Sequence, residues 1–421
     1  MELFSLNKLF AYVKNFSFPR LAGTDGEKRA VKLTVESFEE IGIDEALIIK
    51  RDFKFSDFYS TTLVKLIMIL HLIFNLVLML FAYIHVSLTI ILIGGMIIFI
   101  YLLIRRLKHP EFPGFWGEYF GETLSATNVY VKIPAKKLPQ NDAGNIIISA
   151  HLDSKSQTYT TFQRVAFYRL WAYSGIAFGA FYILYVIILF GNLPISFYIT
   201  LYGAWISSSI ISFSNILLLF LNTGNNSPGA LDNASGMAVV FELCRYFSEH
   251  PLNNFNLWFC QFSGEELGTM GSRFFVNDNE HQFKKGRVFQ INFDMISCSC
   301  HNENYIQYFE SYGIVFRKKI APLISKYVNL AAKKENINVK GFHLSIGAHT
   351  DTVPFHLRNF DAIDITTRAA ALYTHTIKDT PDKVDPQVLL DTCKLVHRLI
   401  LMIDNDYDKL CKNKELYCEI E

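Results

Sequence analysis

The 421-residue sequence predicts an α/β protein. It should combine a mostly parallel mixed sheet, helices on both faces, with four transmembrane helices in two hairpins. Three observations carry that expectation. Short, nearly uninterrupted apolar runs, as strands buried on both faces require, alternate with segments of helical period. Polar residues capable of chemistry stand at the ends of those runs. Hydrophobic residues reach 51% with a mean hydropathy of +0.21, and the excess is concentrated in four stretches of about spanning length.

Taken in order, Thr24-x-x-Glu27 has the form of a capping box. It opens a helix with the apolar stripe Val31, Val35, Phe38 and Ile41, stopped by Gly42. Residues 66–83 and 87–104 are apolar runs separated by a short turn around His85. Residues 146–149 read as a strand leading into His151. A second apolar pair, 166–190 and 195–221, is joined by Gly191-Asn-Leu-Pro194. Residues 233–247 repeat Met237, Val240, Phe241, Cys244 and Phe247, an amphipathic helix. Strand-like runs follow at 255–262, 288–293 and 361–366. Asp385-Pro386 caps a last helix through Ile403 that turns Cys393, Val396, Leu399 and Ile400 inward, ahead of a charged tail, 405–421.

This divides the chain into an α/β domain in three pieces, 1–60, 109–160 and 223–421, interrupted by hairpins at 61–108 and 161–222. The turns near His85 and Gly191 carry no Lys or Arg, whereas Lys65, Arg105, Arg106, Lys108, Arg164 and Arg169 cluster at the opposite ends. The positive-inside rule then puts those ends, both termini and the α/β domain in the cytoplasm of a multi-pass integral membrane protein. Residues 1–60 are polar and patterned like a folded segment, so no cleavable signal peptide is expected. The odd count of seven cysteines suits a reducing compartment. Cys298-Ser-Cys300-His301 lacks a second ligand pair and reads as free thiols after a core strand. A net charge of +1 gives no reason to expect nucleic acid.

The chemistry converges on Glu265 and Glu266, adjacent carboxylates directly after the run Phe255–Phe262. Alone such a pair is usually a solvated dipeptide. Its company is His151-Leu-Asp153, Asp232-Asn-Ala-Ser-Gly236, Asp294 and His375, each after or beside an apolar run. In open α/β sheets, ligands and catalytic groups collect at the carboxyl ends of strands. Two histidines, three carboxylates and a spare glutamate there make the inventory of a two-metal hydrolytic site.

These motifs, in their order, resemble the M28 family of co-catalytic zinc aminopeptidases and related carboxypeptidases. The matching segments are Ser-Phe-Pro-Arg-Leu-Ala-Gly-Thr at 17–24, Ser-Ala-His-Leu-Asp-Ser at 149–154 and Gly-Ala-Leu-Asp-Asn-Ala-Ser-Gly at 229–236. Ser-Gly-Glu-Glu-Leu-Gly at 263–268, Asn292-Phe-Asp294 and the run Tyr373-Thr-His375-Thr-Ile-Lys-Asp-Thr380 complete the set. The likeness covers 1–60, about 115–155 and 223–405. It implies a zinc-dependent exopeptidase-like fold and two Zn²⁺ per chain. His151 and Asp294 would hold one ion, Glu266 and His375 the other, and Asp232 would bridge them. Glu265 takes the general-base position, and Asp153 that of the aspartate that orients His151 through its distal ring N–H. Where the family often reads Ser-Asp-His, this chain has Thr350-Asp351-Thr352, with His349 two residues before Asp351.

The resemblance implies hydrolysis of N-terminal residues from peptides, with a peptide or amide substrate and the lipid bilayer as partners. Hydrolysis of N-acyl amino acids or lipid amides stays open. Glutaminyl cyclisation uses a related fold but needs no hydrolytic water. Non-catalytic scaffolds related to nicalin resemble the fold but lose metal ligands, whereas all five ligands and the base are kept here. The second hairpin is inserted between His151 and Asp232. It is either an anchor alone or a device that holds the cleft near a membrane-associated substrate.

Overall fold

Eleven strands are found in the computed structural model, which describes residues 3–107, 109–191, 193–194, 196–298, 305–313, 316–344 and 350–412. In chain order they are β1 (Ile48–Ser56), β2 (Thr123–Ile133), β3 (Gly144–His151), β4 (Ser156–Gln157), β5 (Thr223–Gly224), β6 (Phe255–Phe262), β7 (Val288–Phe293), β8 (Ile306–Tyr312), β9 (Lys318–Lys319), β10 (Val339–Leu344) and β11 (Asp361–Thr366). Nine form one mixed sheet in the order β1-β2-β6-β3-β7-β11-β8-β10, with β9 on β8; β4 and β5 pair separately. The centre, β6-β3-β7-β11, is parallel throughout, and β2 and β8 join it antiparallel on either side.

Strands β3, β6 and β7 are buried along their whole length, which is why they read as continuous apolar runs. Their alternation feeds two cores. Ile146, Ile148 and Ala150 face the larger one, with Phe16, Phe38, Phe241, Val328 and Leu399 from the helices Leu6–Phe16, Asp25–Glu40, Ser235–Glu249, Pro322–Glu335 and Pro386–Asn405. Ile147 faces the other, with Trp258, Phe275 and Phe355 and the helices Met270–Asn279 and Val353–His356. The sheet is therefore helix-covered on both sides, as the sequence predicts.

Contacts divide the chain into two compact units. The sheet unit comprises Met1–Phe55, Thr123–Thr161 and Thr223–Glu421. The expected stripes of Ser235–Glu249 and Pro386–Asn405 are among the buried residues of those helices. Thr24 caps Asp25–Glu40 through the Glu27 N–H, but Glu27 does not complete the box. Its carboxylate is buried and accepts from Thr127 N at 3.0 Å and Ser263 Oγ at 2.9 Å, while the Thr24 N–H goes to Leu21 O. Tertiary partners outcompete the local bond because a buried carboxylate needs donors more than an exposed N–H needs an acceptor. Burial pushes the Glu27 carboxyl up to about 7.

The second unit, Ser56–Glu122 and Phe162–Asn222, is helical. Its long helices are Thr62–Ile84, Val86–Leu107, Thr161–Phe190 and Tyr198–Leu219. Three stretches are long and apolar enough to cross a membrane: Asp57–Ile84, Thr161–Phe190 and Tyr198–Leu219. The fourth expected span contributes only the shorter apolar stretch Leu88–Leu102 among the described residues. Ile73, Leu76, Leu80, Ile91, Ile183 and Ile206 point outward, while polar side chains pair inside. Asn75 Nδ2 donates to Ser208 Oγ at 2.9 Å and Ser212 Oγ at 3.0 Å, and Trp171 Nε1 donates to His71 Nδ1 at 2.9 Å. Tyr182 and Tyr185 donate to the carbonyls of Leu78 and Ala82. Away from water, such groups must find partners on neighbouring helices.

Cys298 is disulfide-bonded, which corrects the expectation of a free thiol there. Cys244, Cys260 and Cys393 are free and buried. Cys300, His301, His349, Asn192 and residues 413–421 lie outside the described residues.

Candidate metal centre

Because β3, β6, β7 and β11 are parallel, their carboxyl ends open on one edge of the sheet. His151 is the last residue of β3, Asp294 follows β7, and Glu265 and Glu266 lie in the turn after β6. Asp232 enters from the segment preceding the helix Ser235–Glu249, and His375 from the loop after β11. All five expected ligands meet there, in two groups. His151, Asp232 and Asp294 form one and Asp232, Glu266 and His375 the other, with the candidate ligand atoms of each group within 4.8 Å of one another.

Asp232 belongs to both groups through different oxygens. Its Oδ1 lies 3.0 Å from His151 Nε2, which is 3.7 Å from Asp294 Oδ1. Its Oδ2 lies 3.0 Å from His375 Nε2, which is 3.1 Å from Glu266 Oε2. The five side chains are all buried. His151 Nε2 and Glu266 Oε1 have no hydrogen-bond partner. Buried, convergent N and O atoms left unpaired carry a heavy desolvation cost unless a cation meets them, and this donor set fits zinc.

The protonation states follow from the same crowding. Burial disfavours the His151 imidazolium, but Asp232 and Asp294 beside it raise it well above the histidine range. Burial would raise Asp232, yet His151 and His375 hold it well below the carboxylate range. Glu266 is opposed by burial and still lowered to about 2 by His375 and Lys155. Glu265 goes the other way: burial raises its carboxyl well above the usual range, His151 opposes, and Glu266, Asp294 and Asp351 add to the rise. Glu265 belongs to neither ligand group.

A second layer holds these groups. His151 Nδ1 lies 3.0 Å from the main-chain carbonyl of Asp153, whose carboxylate oxygen is farther, at 3.7 Å. The expected carboxylate–imidazole bond is thus replaced by a carbonyl one. The Asp153 carboxylate instead accepts from Glu265 N at 3.1 Å and Glu266 N at 3.2 Å, fixing the turn that carries both glutamates. The reason is local: two main-chain N–H groups of a buried turn need acceptors, and the carboxylate supplies two.

Four further residues support the site without having been singled out in the sequence. Asp379 accepts from the N–H groups of Leu231 at 2.6 Å and Asp232 at 3.2 Å. Thr161 Oγ1 lies 3.0 Å from His375 Nδ1 and accepts from Thr374 Oγ1 at 2.8 Å. His375 itself has φ +66°, a conformation few non-glycine residues adopt without such support. Lys155 Nζ lies 2.8 Å from Glu266 Oε2 and donates to the Glu266 carbonyl at 3.0 Å. Arg20 is fully buried and donates to five carbonyls, those of Leu152, Phe16, Phe18, Pro228 and Gly229. At Gly229, φ is +65° and a Cβ would approach Asp232 O and Ser154 Cβ to 2.6 Å, so only glycine fits. Sequence signals did exist, since Lys155 directly follows the His-x-Asp-Ser motif and Asp379 lies in the His375 motif. Asp351 is buried without a hydrogen-bond partner for either carboxylate oxygen, and Thr350 and Thr352 both donate to Asp364.

Aminopeptidase YwaD of Bacillus subtilis (strain 168) is 28% identical over 180 residues, 40% of this chain and 36% of that protein, so the match spans about a third of the relative. Among solved structures, the zinc aminopeptidase BSAP from Bacillus subtilis aligns over 96% of each chain with a TM-score of 0.54 at 13% identity. A glutaminyl cyclase from an Acidobacteriales bacterium aligns over 96% of this chain and 95% of its own, with a TM-score of 0.52 at 15% identity. LapB from Legionella pneumophila covers 95% of this chain and 72% of its own, at 0.53 and 14%. At these identities the structures show a shared fold. Residues 216–400, which hold Asp232, Glu265, Glu266, Asp294 and His375, match the model of Peptidase family M28.

Proposed function

We propose that this protein is a membrane-integrated di-zinc metallopeptidase that removes N-terminal residues from peptides. The supporting observation is the division of Asp232, one oxygen toward His151 and Asp294 and the other toward His375 and Glu266. A carboxylate so shared would serve both ions of a two-metal site, His151 and Asp294 helping to hold one and His375 and Glu266 the other. Bound in this donor set, zinc would supply Lewis acidity toward the scissile carbonyl and an acidified water. Glu265, not a ligand in this reading, takes the proton of the attacking water and returns it to the departing amine. Asp153 holds both glutamates through their N–H groups, and Thr161 and Asp379 fix His375 and Asp232.

The fold likeness extends to glutaminyl cyclases as well as aminopeptidases, so fold alone does not choose between them. Five ligands plus a base favour hydrolysis over cyclisation. They also favour an enzyme over a non-catalytic scaffold. Membrane integration is supported by the three crossing-length stretches, and the cytoplasmic placement of the peptidase domain by the basic flanks of the hairpins. The deciding experiment pairs metal analysis of detergent-purified protein with a panel of aminoacyl, N-acyl and N-terminal glutaminyl substrates. About two zinc per chain and release of N-terminal residues are expected. Metal-free protein inert on the whole panel would make it a scaffold, and cleavage confined to N-acyl substrates an amidohydrolase.

A further inference from the structure

We infer that the short helix Gly114–Phe120 is an interfacial anchor, its aromatic face seated at the headgroup–acyl boundary of a bilayer. The inference rests on the membrane reading above and assigns a surface that reading does not use. The helix has 7 residues, far too few to span. Its sequence separates by helical position: Phe115, Trp116, Tyr119 and Phe120 lie at i, i+1, i+4 and i+5, and Gly114, Gly117 and Gly121 on another side.

The glycine side is packed against its own unit. A Cβ at Gly117 would come within 2.4 Å of Pro113 Cβ, and one at Gly121 within 2.1 Å of Ser56 Oγ. Ser56 Oγ donates to Gly117 O at 2.7 Å, and Tyr59 Oη donates to Pro113 O at 2.5 Å. The helix is thereby fixed with its aromatic side outward. Phe115 is 62% exposed, Trp116 55%, Tyr119 71% and Phe120 55%, and Phe112 just ahead is 62% exposed. The rings pack on one another, Phe115 with Tyr119 at 4.8 Å and Trp116 with Phe120 at 5.3 Å between centroids.

A contiguous aromatic patch of this kind marks an interaction surface. Its neighbourhood in the chain identifies a lipid interface. It lies in the same compact unit as the crossing-length helices and follows the apolar helix Val86–Leu107. Arg105 and Arg106 close the sequence of that helix and Lys108 follows it, the kind of basic cluster found where a span leaves the bilayer. Trp and Tyr, with an apolar ring and a polar edge, favour that boundary over either the acyl core or water. The adjacent cations suit anionic headgroups.

The full-length protein in phosphatidylcholine–phosphatidylglycerol vesicles tests this by tryptophan quenching. Acyl chains would carry bromine either near the glycerol or near the methyl end. The parent is compared with W116F, a conservative change at an exposed position. Of the other three tryptophans, Trp171 and Trp205 lie in the crossing-length helices and report on membrane insertion itself, whereas Trp258 is buried in the sheet unit. The fluorescence lost in W116F should be quenched by shallow bromines and spared by deep ones, while the remaining fluorescence is also quenched in part. No quenching of the remainder by either lipid would overturn the membrane reading and the anchor with it. A quenched remainder with an unquenched or deep-quenched Trp116 component would leave the membrane reading standing and overturn the anchor alone. The patch would then be a protein contact, visible as a change in oligomer size in F115S/Y119S.

Discussion

Glu265 and Glu266 are neighbours in sequence with different surroundings, and on the proposed reading those surroundings divide the work between them. Glu266 is held between His375 and Lys155 and is kept ionised, as a ligand must be. Glu265 touches no cation and is pushed toward its neutral form by burial, as a group that must carry a proton during turnover should be. Glu265→Gln should therefore keep the fold and metal content while turnover falls by about two to four orders of magnitude. Metal lost from Glu265→Gln and kept in Glu266→Gln would mean the two roles are exchanged. Asp232 invites a sharper comparison. Asp232→Ala removes an oxygen from each group, so it should empty both metal positions, whereas His151→Ala should empty one. Zinc stoichiometry by elemental analysis decides, and a two-zinc Asp232→Ala protein would end the bridging assignment.

Secondary-structure elements show why the site could be read from sequence and why its supports could not. Strands β3, β6 and β7 are buried on both faces, so they stand out as apolar runs, and a polar residue at the end of each is conspicuous. The helix stripe at 386–403 was legible for a similar reason, because one packed face imposes its period, whereas the helix at 235–249 is buried on every side through Cys244. Strands β8 and β10 have mixed burial and gave no such signal. The supporting bonds join residues far apart in sequence, and main-chain acceptors leave no mark on side-chain pattern. Arg20 is the clearest case. It lies in a legible motif, yet its role appears only when its guanidinium is seen tying the 16–20 segment to Leu152 and to the Pro228–Gly229 turn ahead of Asp232. Burial lowers its pKa only to about 10, so it stays charged at neutral pH. Arg20→Met would preserve bulk but remove the guanidinium donor from all five carbonyls, of which Phe16 O and Gly229 O keep a main-chain donor, a loss of about 3 kcal/mol or more. Denaturation of the purified protein should show it, with Arg20→Lys affected less because an ammonium can still serve some of the carbonyls. Equal stability of parent and Arg20→Met would mean the cage contributes nothing.

For the whole molecule, the proposed membrane reading makes the side of the bilayer that the sheet unit faces a testable quantity, and two features pull in opposite directions. The hairpin turns near His85 and Asn192 carry no positive charge, while Lys65, Arg105, Arg106, Lys108, Arg164 and Arg169 stand at the other ends, which favours a cytoplasmic peptidase domain. The disulfide at Cys298 favours an oxidising compartment, where such bonds persist. The charge asymmetry acts on every span as the chain inserts, whereas one disulfide can also be transient in a reducing compartment. The charge pattern therefore sets the expected outcome. Single cysteines near His85 or Asn192, in a background whose seven native cysteines are replaced by alanine, should react with an impermeant maleimide added to intact cells. Cysteines near Asp142 or Glu280, in the sheet unit, should react only after permeabilisation. The opposite pattern would place the metal centre on the outer or lumenal face, in agreement with the disulfide. The substrates would then be secretory rather than cytosolic peptides, and the roles of Asp232 and Glu265 would be unchanged.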